Sequence, residues 1–143
     1  MNKHNTILTK GLVEAYNSTN FVVHFEPSFV LKVGEFNKKL ETVFSKLNQK
    51  TACFITAYNP ESIVVSDTEN ITSQKKLHED LVELGCIIFN GFGAGPNGDW
   101  EGEPSYFALG IGLEEAKNLG RKYKQNAIIW CEQKCIPALL LLR

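Results

Sequence analysis

Two segments of this sequence, residues 58–70 and 90–105, carry the side chains best suited to bind a ligand or to move a proton. They contribute amides, hydroxyls, carboxylates and one indole, at Asn59, Ser62, Glu69, Asn70, Trp100, Glu103 and Ser105. Such groups bind polar or cationic small molecules, and a carboxylate whose pKa is raised by its neighbours can act as a general acid or base. We therefore predict a small-ligand site between the two segments; enzymatic activity stays open, and no catalytic residue is assigned.

The charge distribution narrows the class of ligand. Residues 51–116 carry a net charge of −9, whereas the part before them carries +3 and the part after them +5. The carboxylates in or near the two segments are Glu61, Asp67, Glu69, Asp99, Glu101 and Glu103. Because a phosphate backbone would meet these charges, we expect no nucleic-acid partner. A polar or cationic ligand fits better; a divalent cation held by oxygen atoms is an alternative, but no EF-hand loop is present and no metal ligand is assigned.

Glycine-rich motifs for phosphate binding are weak in this sequence. Gly93 to Gly98 matches G-x-G-x-x-G, but Pro96 interrupts it and no helix follows, as a dinucleotide site requires. No glycine is followed by the Lys-Ser/Thr pair of a P-loop. The sequence therefore favours neither of these nucleotide sites, and the cofactor stays unknown.

The cysteines do not form a recognisable metal motif. Cys53, Cys86, Cys131 and Cys135 include no C-x-x-C pair, and the three histidines are scattered. Buried free thiols are the favoured interpretation over a zinc site, and a disulfide between Cys131 and Cys135 is an open alternative.

Most of the candidate site residues also have a structural explanation. Ser66-Asp67-Thr68-Glu69 fits a capping box, which favours Glu69 as a helix cap over a general base. Asn59, in Tyr58-Asn59-Pro60, is typical of a turn. Trp100 suits a ligand site and a core cover equally, since an indole is apolar with one polar atom. Ser105 lies in no nucleophile-elbow motif.

The elements between residues 51 and 130 explain how the two segments could meet. Their predicted order is a strand over 51–57, a helix from about Asp67 to a stop at Gly85, a strand over 86–89, a glycine-rich loop over 91–103, a strand over 106–109, a helix after Gly112 and a strand over 127–130. This order is that of a ferredoxin-like βαββαβ unit over residues 51–130. Strands joined by a crossover helix normally run the same way, so we expect both segments at one edge of the sheet.

The remaining chain adds to this unit within an α+β fold. We predict an N-terminal helix over about 6–16, a hairpin of strands 21–25 and 29–33, an extra helix, and a C-terminal edge strand over 136–142. The extra helix carries the apolar stripe Phe36, Leu40, Val43, Phe44 and Leu47.

Length and composition bound the class of protein. With 143 residues and 43% hydrophobic content, residues 1–143 are predicted to form a single, layer-packed domain. No apolar run approaches the ~18 residues of a membrane-spanning helix, so no membrane association is expected. The N-terminus shows no apolar core followed by a small-residue cleavage site, and a cytoplasmic location is the default expectation.

Several spaced motifs resemble a known family. TAYNPES, SDTEN, GDWEGEPSYFALGIG and the final NAIIW strand are similar to the bacterial family catalogued as domain of unknown function 3293, over a span from Tyr16 to the C-terminus. The positions that match its pattern are Asn59, Pro60, Ser62, Glu69, Asn70, Trp100, Glu103 and Ser105. The resemblance implies no activity.

Two functions of different class follow. The first is the small polar or cationic ligand site described above. The second is a protein-interaction or homo-oligomerisation module, in which the acidic edge meets a basic surface on a partner or on another copy of the chain.

Overall fold

A computed structural model describes residues 6–96 and 101–143, without the side chain of Glu101. The described part of the chain contains four α-helices and seven strands. In chain order these are α1 Lys10–Ser18, β1 Asn20–Val23, β2 Phe29–Leu31, α2 Lys38–Leu47, β3 Ala52–Ile55, α3 Asp67–Glu83, β4 Ile87–Ala94, β5 Glu101–Leu109, α4 Leu113–Lys122, β6 Ala127–Cys131 and β7 Ala138–Leu141. The predicted mixture of helix and sheet is confirmed.

All seven strands lie in one sheet in the order β2-β1-β4-β5-β3-β6-β7, and every neighbouring pair is antiparallel. Because β3 and β4 are each antiparallel to β5, they point the same way, and the segments after them leave the sheet at the same end. The predicted hairpin is confirmed by the pairing of β1 with β2, and β7 lies at an edge as its preceding proline suggested.

Each face of the sheet is covered by an apolar helix face. Helix α2 packs Leu40, Val43 and Phe44 onto one face, against a cluster that includes Phe54 and Phe107. Helices α3 and α4 cover the other face, with Leu77, Leu81, Ala116 and Leu119 buried at that contact. Burial of about 25 cal/mol for each Å² of apolar surface is the main stabilising contribution of both layers.

Local capping chemistry decides where the helices begin. Helix α1 starts at Lys10 and not near residue 6, because the Thr9 hydroxyl accepts a hydrogen bond from Leu12 N at 3.2 Å. Asn37 caps α2 in the same way, so Phe36 precedes the helix and is 55% exposed; the predicted stripe was wrong at that residue. Ser66 caps α3 as predicted, by accepting from Glu69 N at 3.1 Å.

The predicted glycine-rich loop over 91–103 was wrong at both of its ends. Strand β4 continues to Ala94, and β5 already begins at Glu101. A Cβ added to Gly91 would lie 2.4 Å from Val22 O, and one added to Gly102 would lie 1.9 Å from Gly93 O. These glycines therefore allow neighbouring backbones to approach closely within the sheet.

The structure also describes the state of the cysteines and the length and polarity of the helices. All four cysteines are free thiols, and three of them are buried. In residues 6–96 and 101–143, no helix is both long enough and apolar enough to span a membrane.

Candidate functional site

The segment between β3 and α3 is organised by the side chain of Asn59. Its Oδ1 accepts hydrogen bonds from Asn70 Nδ2 at 2.9 Å and from Val65 N at 3.2 Å, while Asn59 N donates to Asn70 Oδ1 at 2.8 Å. Asn59 has φ 45° and ψ 68°, a left-handed conformation that asparagine tolerates better than most residues. Glu61 and Ser62 also have positive φ, so this turn depends on its side-chain bonds.

Asn59 joins this segment to β5. Its Nδ2 donates to Glu103 Oε2 at 2.7 Å, across 44 residues of sequence. The Glu103 carboxyl is half-buried; burial raises its pKa above the ordinary value of 4.5, and the hydrogen bond from Asn59 lowers the pKa by less. The prediction that the two segments lie side by side is confirmed by this hydrogen bond between Asn59 and Glu103.

A second amide, Gln74, holds the same two segments together one helical turn further along α3. Gln74 Oε1 accepts from Ala57 N at 2.8 Å, and its Nε2 donates to Pro104 O at 3.1 Å. The Thr56 hydroxyl donates to the same Pro104 oxygen at 2.7 Å. Both Asn70 and Gln74 are buried, at 4% and 7% exposure. This paired bonding satisfies backbone groups that the end of β3 would otherwise leave unbonded.

Sequence reasoning missed Gln74, although a signal was present. The buried residues of α3 are Asn70, Gln74, Leu77 and Leu81, which follow a helical period of three to four. Leu84, three residues after Leu81, does not extend this stripe, because it is 39% exposed and lies after the helix. Polar residues in register with an apolar stripe indicate buried hydrogen-bonding side chains.

A cavity of about 300 Å³ opens beside Asn59 and Glu103. Its apolar lining comes from four strands, through Phe21, Phe54, Ile129 and Leu139. Its polar lining includes Tyr16, Thr19, Thr56, Asn59, Ser62, Glu103, Ser105 and Gln125. Phe21 and Phe54 meet edge to face, with ring centroids 5.2 Å apart. Among the described residues, Glu103 is the only carboxylate in this lining, and no Lys or Arg joins it.

Gln125, which the sequence analysis missed, is fixed at the cavity by the backbone. Its Nε2 donates to Tyr58 O at 3.0 Å and to Tyr123 O at 3.2 Å, and the residue is only 8% exposed. Nothing in the local sequence marks this role, because Gln125 follows the end of α4 in a segment that reads as a simple connection.

A polar chain from the C-terminal part of the protein also reaches this turn. Ser62 Oγ accepts from Asn126 Nδ2 at 2.9 Å, and Asn126 Oδ1 accepts from Arg143 Nη1 at 3.0 Å. Arg143 Nη2 lies 3.7 Å from Glu61 Oε2. A cation from outside residues 51–116 therefore neutralises part of the charge expected at this edge.

The predicted site residues thus separate into groups. Asn59, Ser62, Glu103 and Ser105 line the cavity, and the Ser105 hydroxyl donates to Glu103 O at 3.0 Å. Asn70 lies behind them as the partner of Asn59. Trp100 lies outside the described residues.

Glu69 is placed differently. It is exposed in the first turn of α3, and within residues 6–96 and 101–143 its carboxylate makes no hydrogen bond or ion pair. The same ranges contain no group of three or more His, Cys, Asp or Glu side chains arranged to hold a metal ion.

Comparison with known proteins returns one family. A family model described as "Protein of unknown function (DUF3293)" matches residues 55–128. No curated protein and no solved structure matches this chain. The matched range contains Asn59, Asn70, Glu103 and Gln125, and it ends before Ile129, Leu139 and Arg143.

Proposed function

We propose that this chain, which belongs to the DUF3293 family, binds a small polar ligand in the cavity beside Asn59 and Glu103. The observation that carries the proposal is a half-buried carboxylate, Glu103, held by an amide at the wall of a cavity with an aromatic and aliphatic lining. Asn59, Ser62, Glu103 and Ser105 are the proposed contact residues. We propose no reaction.

The energetics of Glu103 support a binding role. Burial of an ionised group costs free energy unless hydrogen bonds or an opposite charge compensate, and Asn59 supplies one such bond. The raised pKa means that this compensation is incomplete in the protein alone. Residues whose pKa is perturbed by burial inside a cleft are frequent at functional sites, where a ligand completes the compensation.

The arrangement of Asn70 supports a role in positioning. Asn70 bonds both the backbone N–H and the side chain of Asn59, and it lines no part of the cavity. A buried amide that makes two hydrogen bonds to one residue fixes the orientation of that residue. We propose that Asn70 orients Asn59, and that Glu69 contributes to the start of α3 rather than to the ligand.

A nuclear magnetic resonance screen tests the proposal. A chemically diverse fragment library is added to ¹⁵N-labelled protein, and we expect some fragments to shift the amide signals of cavity residues such as Phe54, Ser105 and Ile129. The variant Ala127→Leu, which adds volume to the cavity lining, should abolish those shifts. Ala138→Leu, the same change at an exposed position of β7, should retain them. Fragments that bind Ala127→Leu and wild type alike would refute the proposal.

A second candidate function is homo-oligomerisation, and one observation favours it. Ile63, Val64 and Ile71 are 62%, 84% and 60% exposed, close in sequence to the Asn59 turn. Exposed apolar residues can form an interface, although single ones are common on monomers. Size-exclusion chromatography at low and high salt tests this function. Salt weakens association through the acidic edge, but it does not weaken association through these apolar residues. A monomer at both salt concentrations excludes both kinds of association.

A finer fold assignment also stays a proposal. We propose that residues 51–130 form a ferredoxin-like unit. What supports it is the order β4-β5-β3-β6 of the four strands in this range, with all neighbours antiparallel and a helix between β3 and β4 and between β5 and β6. An experimental structure tests it.

A further inference from the structure

We infer that the ligand is an organic cation, a primary ammonium group carried on a compact apolar body. This inference rests on the proposed binding function and specifies its ligand class. It follows from the hydrogen bonds that the polar side chains around the cavity donate, and from the charge and the apolar side chains of the rest of the lining.

Most of the polar residues that line the cavity donate at least one hydrogen bond within the protein. Asn59 Nδ2 donates to Glu103, Thr56 Oγ1 to Pro104 O, and Ser105 Oγ to Glu103 O. The Thr19 hydroxyl likewise donates to a backbone carbonyl of α1, at 2.6 Å. A hydroxyl that donates its single hydrogen in this way can only accept from a ligand.

Gln125 shows the same pattern under stronger burial. Both hydrogens of its Nε2 bond to backbone carbonyl oxygens, which fixes the amide orientation and leaves Oε1 as the free end. Within the described ranges 6–96 and 101–143, Oε1 accepts no hydrogen bond, although the residue is only 8% exposed. An unused acceptor on a buried side chain that lines a cavity is a position for a ligand donor.

The carboxylate supplies the charge. Glu103 Oε2 accepts from Asn59, and no other donor reaches the carboxylate in the described part of the chain. Together with Gln125 Oε1 and the Ser105 oxygen, it gives the described lining of the cavity an excess of acceptors and one negative charge. The Ser62 and Tyr16 hydroxyls keep a hydrogen, but a hydroxyl can turn to present its oxygen.

These features select an ammonium ion among donor ligands. An ammonium group has three donors and a full positive charge, which compensates the burial of Glu103. A carboxylate or phosphate ligand would find no cation among the lining residues that the structure describes. In the same described lining, a bare metal ion would find a single carboxylate where it prefers several oxygen ligands.

The apolar lining sets the remainder of the ligand. Phe21, Phe54, Ile129 and Leu139 face a volume of about 300 Å³, equal to about ten waters in the liquid. An aliphatic or single-ring body fills such a space and gains free energy by leaving water. A polyamine would place a second charge against these side chains, so a monoamine is the expected class.

Three probes that share one body test the inference: 2-phenylethylammonium, 2-phenylethanol and 3-phenylpropanoate. Binding is measured by titration calorimetry and by shifts of the cavity amide signals. We expect wild-type protein to bind the ammonium probe about tenfold or more tightly than the alcohol, and the carboxylate probe least. Glu103→Gln keeps an oxygen for Asn59 but removes the charge, and it should reduce the preference for ammonium over alcohol to about onefold.

The outcomes separate this inference from the proposed function. If the alcohol or the carboxylate probe binds as tightly as the ammonium probe, the cation is refuted and the cavity remains a binding site. The dispersion of the amide signals shows whether the Glu103→Gln variant is folded. If the folded variant still binds the ammonium probe more tightly than the alcohol, the cation inference is also refuted. If none of the three probes shifts cavity signals, the inference fails, and the fragment screen with Ala127→Leu decides the proposed function independently.

Discussion

Asn59→Ala is the substitution that best tests how the site is held together. It removes three side-chain hydrogen bonds, to Glu103 at 2.7 Å, Asn70 at 2.9 Å and Val65 N at 3.2 Å. The two neutral bonds contribute about 1 kcal/mol each and the bond to the carboxylate about 1.5–3 kcal/mol. Alanine in the left-handed conformation at φ 45° costs about 1 kcal/mol more. We expect the free energy of unfolding to fall by about 4.5–6 kcal/mol, the sum of these contributions and a large part of the ~5–15 kcal/mol typical of a domain.

A matched position separates the backbone cost from the hydrogen bonds. Asn48 has φ 54° at the end of α2, is exposed, and within the described residues its side chain makes no hydrogen bond. Asn48→Ala should therefore lose only about 1 kcal/mol. The assay is urea unfolding at constant m-value, followed by fluorescence. Equal losses at Asn48 and Asn59 would refute the reasoning, because the Asn59 hydrogen bonds would then contribute nothing.

Two further predictions concern the sheet and the carboxylate. Gly91→Ala should lower the free energy of unfolding by about 1–3 kcal/mol, since its Cβ would lie 2.4 Å from a β1 carbonyl oxygen. Gly11→Ala in α1 should raise it by up to ~1 kcal/mol, because the added Cβ would meet no described residue beyond its own helix within 4 Å. Equal urea midpoints for the two variants would contradict this. The pKa of Glu103 is raised in the folded state, so wild type should lose stability as pH rises from 4.5 through that pKa. Glu103→Gln should not show this loss. Parallel curves of Tm against pH for the two proteins would contradict the raised pKa of Glu103.

Local sequence patterns predicted the elements that depend on near neighbours. The Ser66 cap and the left-handed Gly85 after α3 involve residues within one helical turn, and both are present. Only half of the predicted capping box forms in the described part of the chain: the Ser66 hydroxyl accepts from Glu69 N, but the Ser66 N–H donates to no carboxylate. The prediction that Phe36 belongs to the stripe of α2 was wrong, because the apolar periodicity continues on the N-terminal side of Asn37, the residue that caps the helix.

The glycines show the limit of local reasoning. Gly91 and Gly102 read as loop residues by composition, yet both lie in strands where a neighbouring backbone leaves no room for a Cβ. The carbonyl oxygen that a Cβ at Gly91 would meet belongs to Val22, which is far away in the sequence. In the sequence, a glycine required by a turn cannot be told from a glycine that makes room for a neighbouring strand. Only the pairing of the strands in the sheet distinguishes them.

By itself, the sequence determined the family, the mixed α and β class, the Ser66 cap of α3 and the acidic middle segment that contains Glu103. Only the tertiary structure decided that Asn59 bonds Glu103 across 44 residues, that Gln74 and Gln125 support the same site, and that Arg143 approaches Glu61. The physical reason is that capping and periodicity are interactions over a few residues. Convergence of side chains on a cavity depends on strand order and direction, which bring distant parts of the chain together.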